Sequence, residues 1–562
     1  MNDLGYSAHR LILITRYAAI AAFLFLIASP IVLAFYRLID VAGANPWAWI
    51  ETLDGNYMSA GAIEFTFLQS ILSSLATISL GLPVAWLLGR YNWRMQSMIR
   101  AVLTVPFVMP SIIAAMGILT LTGDSALGIR GNEGTWFWTL IIAHAWFNMS
   151  LVIRFCEPIL STLDPSMEEQ LRLLPGGGTI YGRIRHLWLP VLLPPISASF
   201  CMSFVFSFTS FALVRWITVR DNTLESVMAL SSPSAGIQGY MVYTSEIVLA
   251  SSLIQLAVLS ISLWLASRIQ RELQRQYPMA PARVARGHLD YGWVLMAPAL
   301  FFSIAPIISV AIGSLRVRTV ESGRVTDTWS LEGWEVARDG SFSMMPLSDA
   351  MANSILYATI SLVVSMPLGY CIASAIHSLE KTNRRLSEAL DFATMAPFAF
   401  SAAMIGLGVT LGVTKLDPMA FSRFWPLPAL AHVMLTTPFA IRIMLTGLRS
   451  IEQEYDETAR VLGLGPLARL TRVRIPMMKG PITVAAIFCL AMSLGEFGAS
   501  FIVATNSDWT TLPLLADKWR GMPMNPLAES ASNAVATALA VMAILLFAAA
   551  ERARSNEKGG MF

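Results

Sequence analysis

Glu496 is the one carboxylate deep in a late apolar run, Ser493-Leu-Gly-Glu-Phe-Gly498. An ionisable side chain in a lipid-spanning stretch is costly, which makes it a candidate for handling cargo or protons. An earlier run, Ser207-Phe-Thr-Ser-Phe-Ala212, places Ser210 at the matching position, with Thr209 beside it and Asn148 in the span before. These four are the candidate translocation-path residues. A helix break reached by water, or a partner for a polar neighbour, accounts for Glu496 as readily. His144 and His432 fit hydrogen bonds across helices better than cargo binding. Cys156, Cys201, Cys371 and Cys489 form no CxxC pair, so neither a disulfide framework nor a zinc site is indicated. There is no HExxH, no GxSxG and no Gly-Lys dipeptide, hence no Walker A loop of the usual form. The sequence therefore offers no catalytic or metal site and no bound cofactor. What it offers is a few polar groups set in apolar surroundings.

The surroundings are membrane spans. Of 562 residues, 55% are hydrophobic and 13% charged, with a mean hydropathy of +0.60. A soluble domain carries about 25% charged residues. The apolar runs approach ~20 residues without strand-like alternation, which predicts an all-α integral membrane protein. A net charge of +3 is too small to suggest nucleic acid. Twelve spans are expected, at 17–35, 63–88, 101–122, 137–155, 191–214, 247–266, 292–315, 354–376, 392–413, 426–444, 482–504 and 532–550. The first lacks a small-residue cleavage pattern and reads as a retained span. Lys and Arg concentrate in the loops that share a side with the N-terminus, which places both termini in the cytoplasm.

The chain divides into two six-span modules, 1–266 and 292–562, about a basic linker, 267–291. Prolines Pro83 and Pro367 stand at the same distance from Ser70-Ile-Leu-Ser and Ser354-Ile-Leu-Tyr. Pro106 and Gly117 match Pro397 and Gly408, His144 matches His432, and Arg154 matches Arg442. Six spans per module return the chain to its starting side, so the repeat is parallel. The acidic stretch 316–350 reads as an outer loop that caps the mouth, meets a partner or is simply solvated.

A polar segment also occurs twice, over about 164–190 and 452–476. The second copy is Glu457-Thr-Ala-Arg-Val-Leu-Gly463, then Ile475-Pro476. Tyr455, Ala459 and Leu462 fall on one helical stripe, Ser450-Ile-Glu-Gln453 fits a capping box, and Gly463 suits a left-handed stop. The first copy has Ser166-Met-Glu-Glu169, Leu171 and Leu174, then Leu189-Pro190. It departs at Pro175 and gains two residues in the run Gly176–Gly178. Helix, tight turn and helix, with a small apolar face, suit docking into a groove of another protein.

The Glu-Thr-Ala-Arg-Val-Leu-Gly string and its following Ile-Pro resemble the EAA loop of binding-protein-dependent ABC importer permeases. The resemblance covers nearly the whole chain, as two permease modules fused head to tail. It implies that the loops are coupling helices, each in a cleft of a cytoplasmic ABC ATPase present in two copies. Glu169 and Leu171, and Glu457, Ala459, Arg460 and Gly463, would be the coupling residues, with Gly177 standing in for the displaced glycine. ATP and Mg would be used by that ATPase, and a periplasmic or lipid-tethered solute-binding protein would deliver cargo to the inner membrane. Ala-His-Ala-Trp-Phe-Asn148 and Thr-Thr-Leu-Pro513 are similar to thiamine and ferric-iron permeases, which puts thiamine or its phosphates first as cargo and Fe(III) next. The rival class, an ion-coupled carrier, would carry more ionisable residues in mid-span than these nearly uncharged runs do.

Overall fold

The computed structural model describes residues 2–57, 59–122, 135–163, 165–173, 178–218, 222–233, 235, 242–276, 289, 291–321, 324–417, 419, 423–451, 453–504, 506–522 and 524–558. In lipid a backbone must satisfy its own hydrogen bonds, and long apolar helices do so. In chain order the first helices are α1 (Asn2–Ala42), α2 (Pro46–Gly55), α3 (Ala62–Arg90), α4 (Gln96–Val108), α5 (Ser111–Thr122), α6 (Thr135–Thr162) and α7 (Pro165–Arg172). Then come α8 (Ile180–Arg183), α9 (Leu189–Phe208), α10 (Ala212–Ile217), α11 (Leu224–Ser231), α12 (Val242–Gln276) and α13 (Trp293–Gly313).

After a hairpin follow α14 (Glu332–Asp339), α15 (Leu347–Thr382), α16 (Arg384–Ala393), α17 (Ala396–Ala399), α18 (Ala402–Leu416) and α19 (Leu427–Ser450). The last are α20 (Gln453–Val461), α21 (Pro466–Arg469), α22 (Ile475–Met477), α23 (Lys479–Leu494), α24 (Gly498–Val503), α25 (Leu512–Arg520) and α26 (Ala528–Lys558). Hydroxyls within the apolar helices bond back to their own backbone. In α3, Thr66, Ser70, Ser74 and Thr77 each donate to the carbonyl four residues earlier, at 2.5–2.7 Å.

Among the described residues nine helices are long and apolar enough to cross a membrane, or eleven if two bent pairs each count as one span. The expected count of twelve is thus not reached by length. Expected span 101–122 is α4 and α5, bent by 99°, at Met109-Pro110. Expected span 392–413 is α16, α17 and the 15-residue α18. Expected spans 191–214 and 482–504 each break, at 209–211 and 495–497. Pro83 and Pro367 lie inside α3 and α15. The expected linker is still helical through Gln276; residues 277–288 and 290 lie outside the described residues.

The acidic stretch 316–350 is not all loop. Strands β1 (Arg316–Glu321) and β2 (Arg324–Trp329) pair antiparallel with Arg318 opposite Asp327, whose side chains also meet at 3.2 Å. Alternation of Val317, Thr319 and Glu321 with arginines and valine, about Ser322-Gly323, is a hairpin pattern.

The chain packs as two compact units that do not follow the linear order of the repeats. One comprises 1–49, 229–249 and 332–562; the other comprises 50–228 and 250–331. In the first, α1 lies against α15 and α18, and α15 against α19 and α23. In the second, α3, α6 and α9 pack together, and α13 lies against α4 and α5. The opening helix of each module therefore packs in the unit built around the other module's core.

Each unit has a glycine pressed against a proline carbonyl of the packed helix. A Cβ on Gly117 of α5 would stand 2.3 Å from the Pro306 carbonyl oxygen of α13. A Cβ on Gly412 of α18 would stand 2.7 Å from the Pro30 carbonyl oxygen of α1. Small residues let membrane helices approach backbone to backbone. Gly117→Leu is expected to destabilise by about 1–3 kcal/mol through overpacking, read as a lowered midpoint of thermal unfolding in detergent. Gly55, where a Cβ meets nothing within 4 Å, serves as the control. An unchanged midpoint in Gly117→Leu would refute the close approach.

Candidate functional site

Both repeated segments are helix, turn and helix. The second begins with α20. Ser450 does not cap it: Ser450 ends α19 and donates to the Gly447 carbonyl at 2.8 Å. The other expected capping box falls on Ser166, in the first turn of α7, and its side chain lies outside the described residues. At the far end of α20, Gly463 takes a left-handed φ of +76°. Its N–H bonds the Arg460 carbonyl and the Leu464 N–H bonds the Ala459 carbonyl, at 2.9 and 3.0 Å. This is a Schellman stop, in which two otherwise orphan carbonyls are satisfied. In the first segment, Pro175 and Gly177 lie outside the described residues. The chain resumes with Thr179 accepting the Gly182 N–H at 3.0 Å as the cap of α8.

Each segment then passes through one π turn, Ile184–Trp188 and Leu470–Arg474. Each π turn is followed at once by Leu189-Pro190 or Ile475-Pro476. Proline has no N–H and its ring crowds the carbonyl four residues back. The wider turn moves that carbonyl aside: the Leu189 and Ile475 N–H groups reach back five residues, to Ile184 and Leu470. Pro190 lies within a continuous 29-residue run, Ile180–Phe208, while after Pro476 the chain bends by 72° into α23.

Burial divides the expected coupling residues into two sets. Glu169, Glu457 and Arg460 are exposed. Leu171 and Ala459, which occupy matching positions, are turned inward at 9% and 4% exposure. Leu171 packs with Leu163, Leu187 and Val191. Of the expected stripe Tyr455, Ala459 and Leu462, only Ala459 turns inward; Tyr455 and Leu462 are exposed. The outward apolar side chains are Leu173 and Val461, again at matching positions, at 85% and 87% exposure. Leu462 is exposed beside Val461. Sequence reasoning passed over Leu173 and Val461, although their common offset from Glu169 and Glu457 marks them.

The polar residues within the spans lie at the two helix breaks. In the second module, Glu496 closes the start of α24. Its carboxylate accepts the Ala499 N–H at 2.7 Å, the Ser500 N–H at 2.8 Å and the Ser500 hydroxyl at 2.6 Å. His432 lies 3.5 Å from the same carboxylate and bonds Ser493 at 2.7 Å and Ser500 at 2.9 Å. In the first module the matching break holds Thr209 and Ser210. Thr209 donates to the Val205 carbonyl at 3.0 Å. Asn148 reaches Ser207 at 3.3 Å, and Gln69 donates to the Ser207 carbonyl at 2.9 Å. His144 is buried against Ser73 at 3.1 Å. Asn148, Thr209 and Ser210 thus gather in one unit, and Glu496 belongs to the other. Among the described residues no three His, Cys, Asp or Glu side chains gather as a metal site.

Long apolar helices interrupted by polar breaks, with an exposed helical segment repeated in each module, define a duplicated multi-pass membrane protein. The family described as binding-protein-dependent transport system inner membrane component matches it twice, over residues 81–275 and 353–554. The chain belongs to that family, the permeases of ABC importers, and so stands apart from ion-coupled carriers. It is 21% identical to a thiamine transport system permease protein of Brucella abortus, over 92% of this chain and 96% of the relative. A thiamine permease of Haemophilus influenzae is 22% identical over 81% and 82%. A sulfate transport system permease of Salmonella typhimurium is 28% identical, but the match spans only 30% of this chain and 63% of the relative.

Glu496→Ala removes acceptors from two backbone N–H groups and from a buried hydroxyl. The expected cost is about 1–3 kcal/mol, seen as a lower unfolding midpoint in detergent. Ser210→Ala, at the matching position, should stay within about 0.5 kcal/mol. Equal midpoints for the two variants would show that the carboxylate does not hold the break.

Proposed function

We propose that this chain is the permease of an ATP-driven importer for thiamine or its phosphates, with Fe(III) as the next cargo to test. The carrying observation is the extent of likeness: the thiamine permease match runs almost end to end in both proteins. The sulfate permease match is confined to under a third of this chain. A solute-binding protein delivers the cargo, and two ABC ATPase subunits drive the chain between outward-facing and inward-facing states. Both termini and both repeated segments face the cytoplasm.

The segments are the docking helices. Leu173 and Val461 are the apolar knobs for the ATPase clefts, with Glu169 and Glu457 on the same exposed helices. An apolar knob buried in a cleft contributes about 1.5–3 kcal/mol. Val461→Asp should therefore weaken ATPase capture by about tenfold or more without moving the unfolding midpoint, because the side chain is exposed in this chain. Undiminished capture in a pull-down would sink the docking assignment. Glu457→Lys should impair capture more than Glu169→Lys, because the first segment departs from the motif at Pro175; equal losses would count against that asymmetry.

Cargo identity is read on the solute-binding protein encoded beside this chain. Calorimetric titration should give binding of thiamine and none of sulfate. Binding of sulfate or Fe(III) in its place would overturn the thiamine reading. In proteoliposomes carrying the ATPase, uptake should need ATP and persist with an uncoupler. Uptake that collapses with the proton gradient alone would overturn the ATP-driven reading.

A further inference from the structure

In the first module, α3 grips the repeated segment at both of its ends. Arg90, the last residue of α3, is 1% exposed. Its Nη1 donates to the Leu163 carbonyl at 3.1 Å and faces the Leu160 carbonyl at 3.5 Å, where α6 gives way to α7. A guanidinium on the last carbonyls of a helix satisfies orphan acceptors and complements the negative end of the helix dipole. One turn earlier, Trp86 packs edge-on against Trp188, the last residue of the π turn, with ring centroids 4.3 Å apart.

Counting from Pro83 and Pro367, the second module has Tyr370 in the place of Trp86 and Ser374 in the place of Arg90. Arg474, the last residue of the second π turn, stands in the place of Trp188 and is an electrostatic neighbour of Tyr370. The spanning helix thus keeps an aromatic side chain at this place. The guanidinium at the position of Arg90 is gone, because serine is short and uncharged.

A guanidinium nevertheless arrives there from elsewhere. Arg16 of α1 donates from Nη2 to Ser374 Oγ at 2.7 Å. Arg474 acts on it as a like charge, which the Ser374 hydroxyl and the neighbouring Tyr370 offset. Helix α1 also packs against α21, the return leg of the segment. Yet α1 lies wholly outside both stretches that match the family, 81–275 and 353–554.

We propose that Arg16 is the positioning residue of the second docking segment, a guanidinium supplied by the N-terminal helix in place of the one that Arg90 supplies within the first module. The proposal rests on the reading of 453–477 as an ATPase-docking segment. It makes α1 a working part of the energy-coupling apparatus and gives the two segments unlike supports.

The test uses the full chain reconstituted with its ATPase and solute-binding protein. Solute imported per ATP hydrolysed should fall about fivefold in R16Q, with the ATPase still captured. R16Q/S374R returns a guanidinium to the position it holds in the first module and should regain most of that ratio. Wild-type coupling in R16Q overturns the proposal. So does a defect that S374R leaves unchanged, since it would belong to α1 packing and not to the guanidinium. Failure of the wild-type chain to capture any ATPase would overturn the docking reading and the proposal with it.

Discussion

A broken helix in lipid must find partners for the backbone groups that the break frees. Both modules break at the same place, at 209–211 and 495–497, and they meet the requirement from opposite ends. In the second, the Glu496 carboxylate takes up the N–H groups of Ala499 and Ser500 at the start of the new helix. In the first, the Gln69 amide donates to the Ser207 carbonyl at the end of the old one. The charge that looked most like a cargo site is therefore used on the backbone, and His432, Ser493 and Ser500 form the shell around it.

The same constraint governs the repeated segments. A proline must follow each one where the chain turns back towards the membrane, and each proline removes a helix donor. The π turns at 184–188 and 470–474 accept that loss by lengthening the preceding bonds to five residues. The position of Gly463 is set likewise: a Schellman stop needs a left-handed residue, and its φ of +76° suits glycine.

Features of this local kind were legible in the sequence. Gly463, Pro190, Pro476 and the paired prolines of α3 and α15 each act within a few residues of themselves, so spacing and residue type suffice. Two kinds of feature were not. The stripe through Leu171 and Ala459 has the right period, but periodicity cannot say whether the shared face turns outward or onto the segment's own return leg. The common offset of Leu173 and Val461 pairs them in the sequence, but only burial shows that they point outward. Nor could the sequence place α1, whose apolar side chains run around most of its surface and favour no neighbour by pattern. Its place against α15 and α18 is a tertiary fact. The β1–β2 hairpin, by contrast, is legible as alternation about Ser322-Gly323, within a stretch whose acidic residues also suit a solvated loop.

Duplication sets two copies of one device in a single chain, where each is free to change alone. Both units still press a glycine onto a proline carbonyl, at Gly117–Pro306 and, one turn past the matching position Gly408, at Gly412–Pro30. The polar anchors have not stayed alike. Where the first module holds its segment with Arg90 from the adjoining span, the second holds Ser374 and receives Arg16 from the start of the chain. Arg90 donates to the carbonyls that end α6, whereas Arg16 donates to the Ser374 hydroxyl, so the place of the guanidinium is kept while its acceptor changes. The constraint selects the group and the place, and leaves open which part of the chain supplies it.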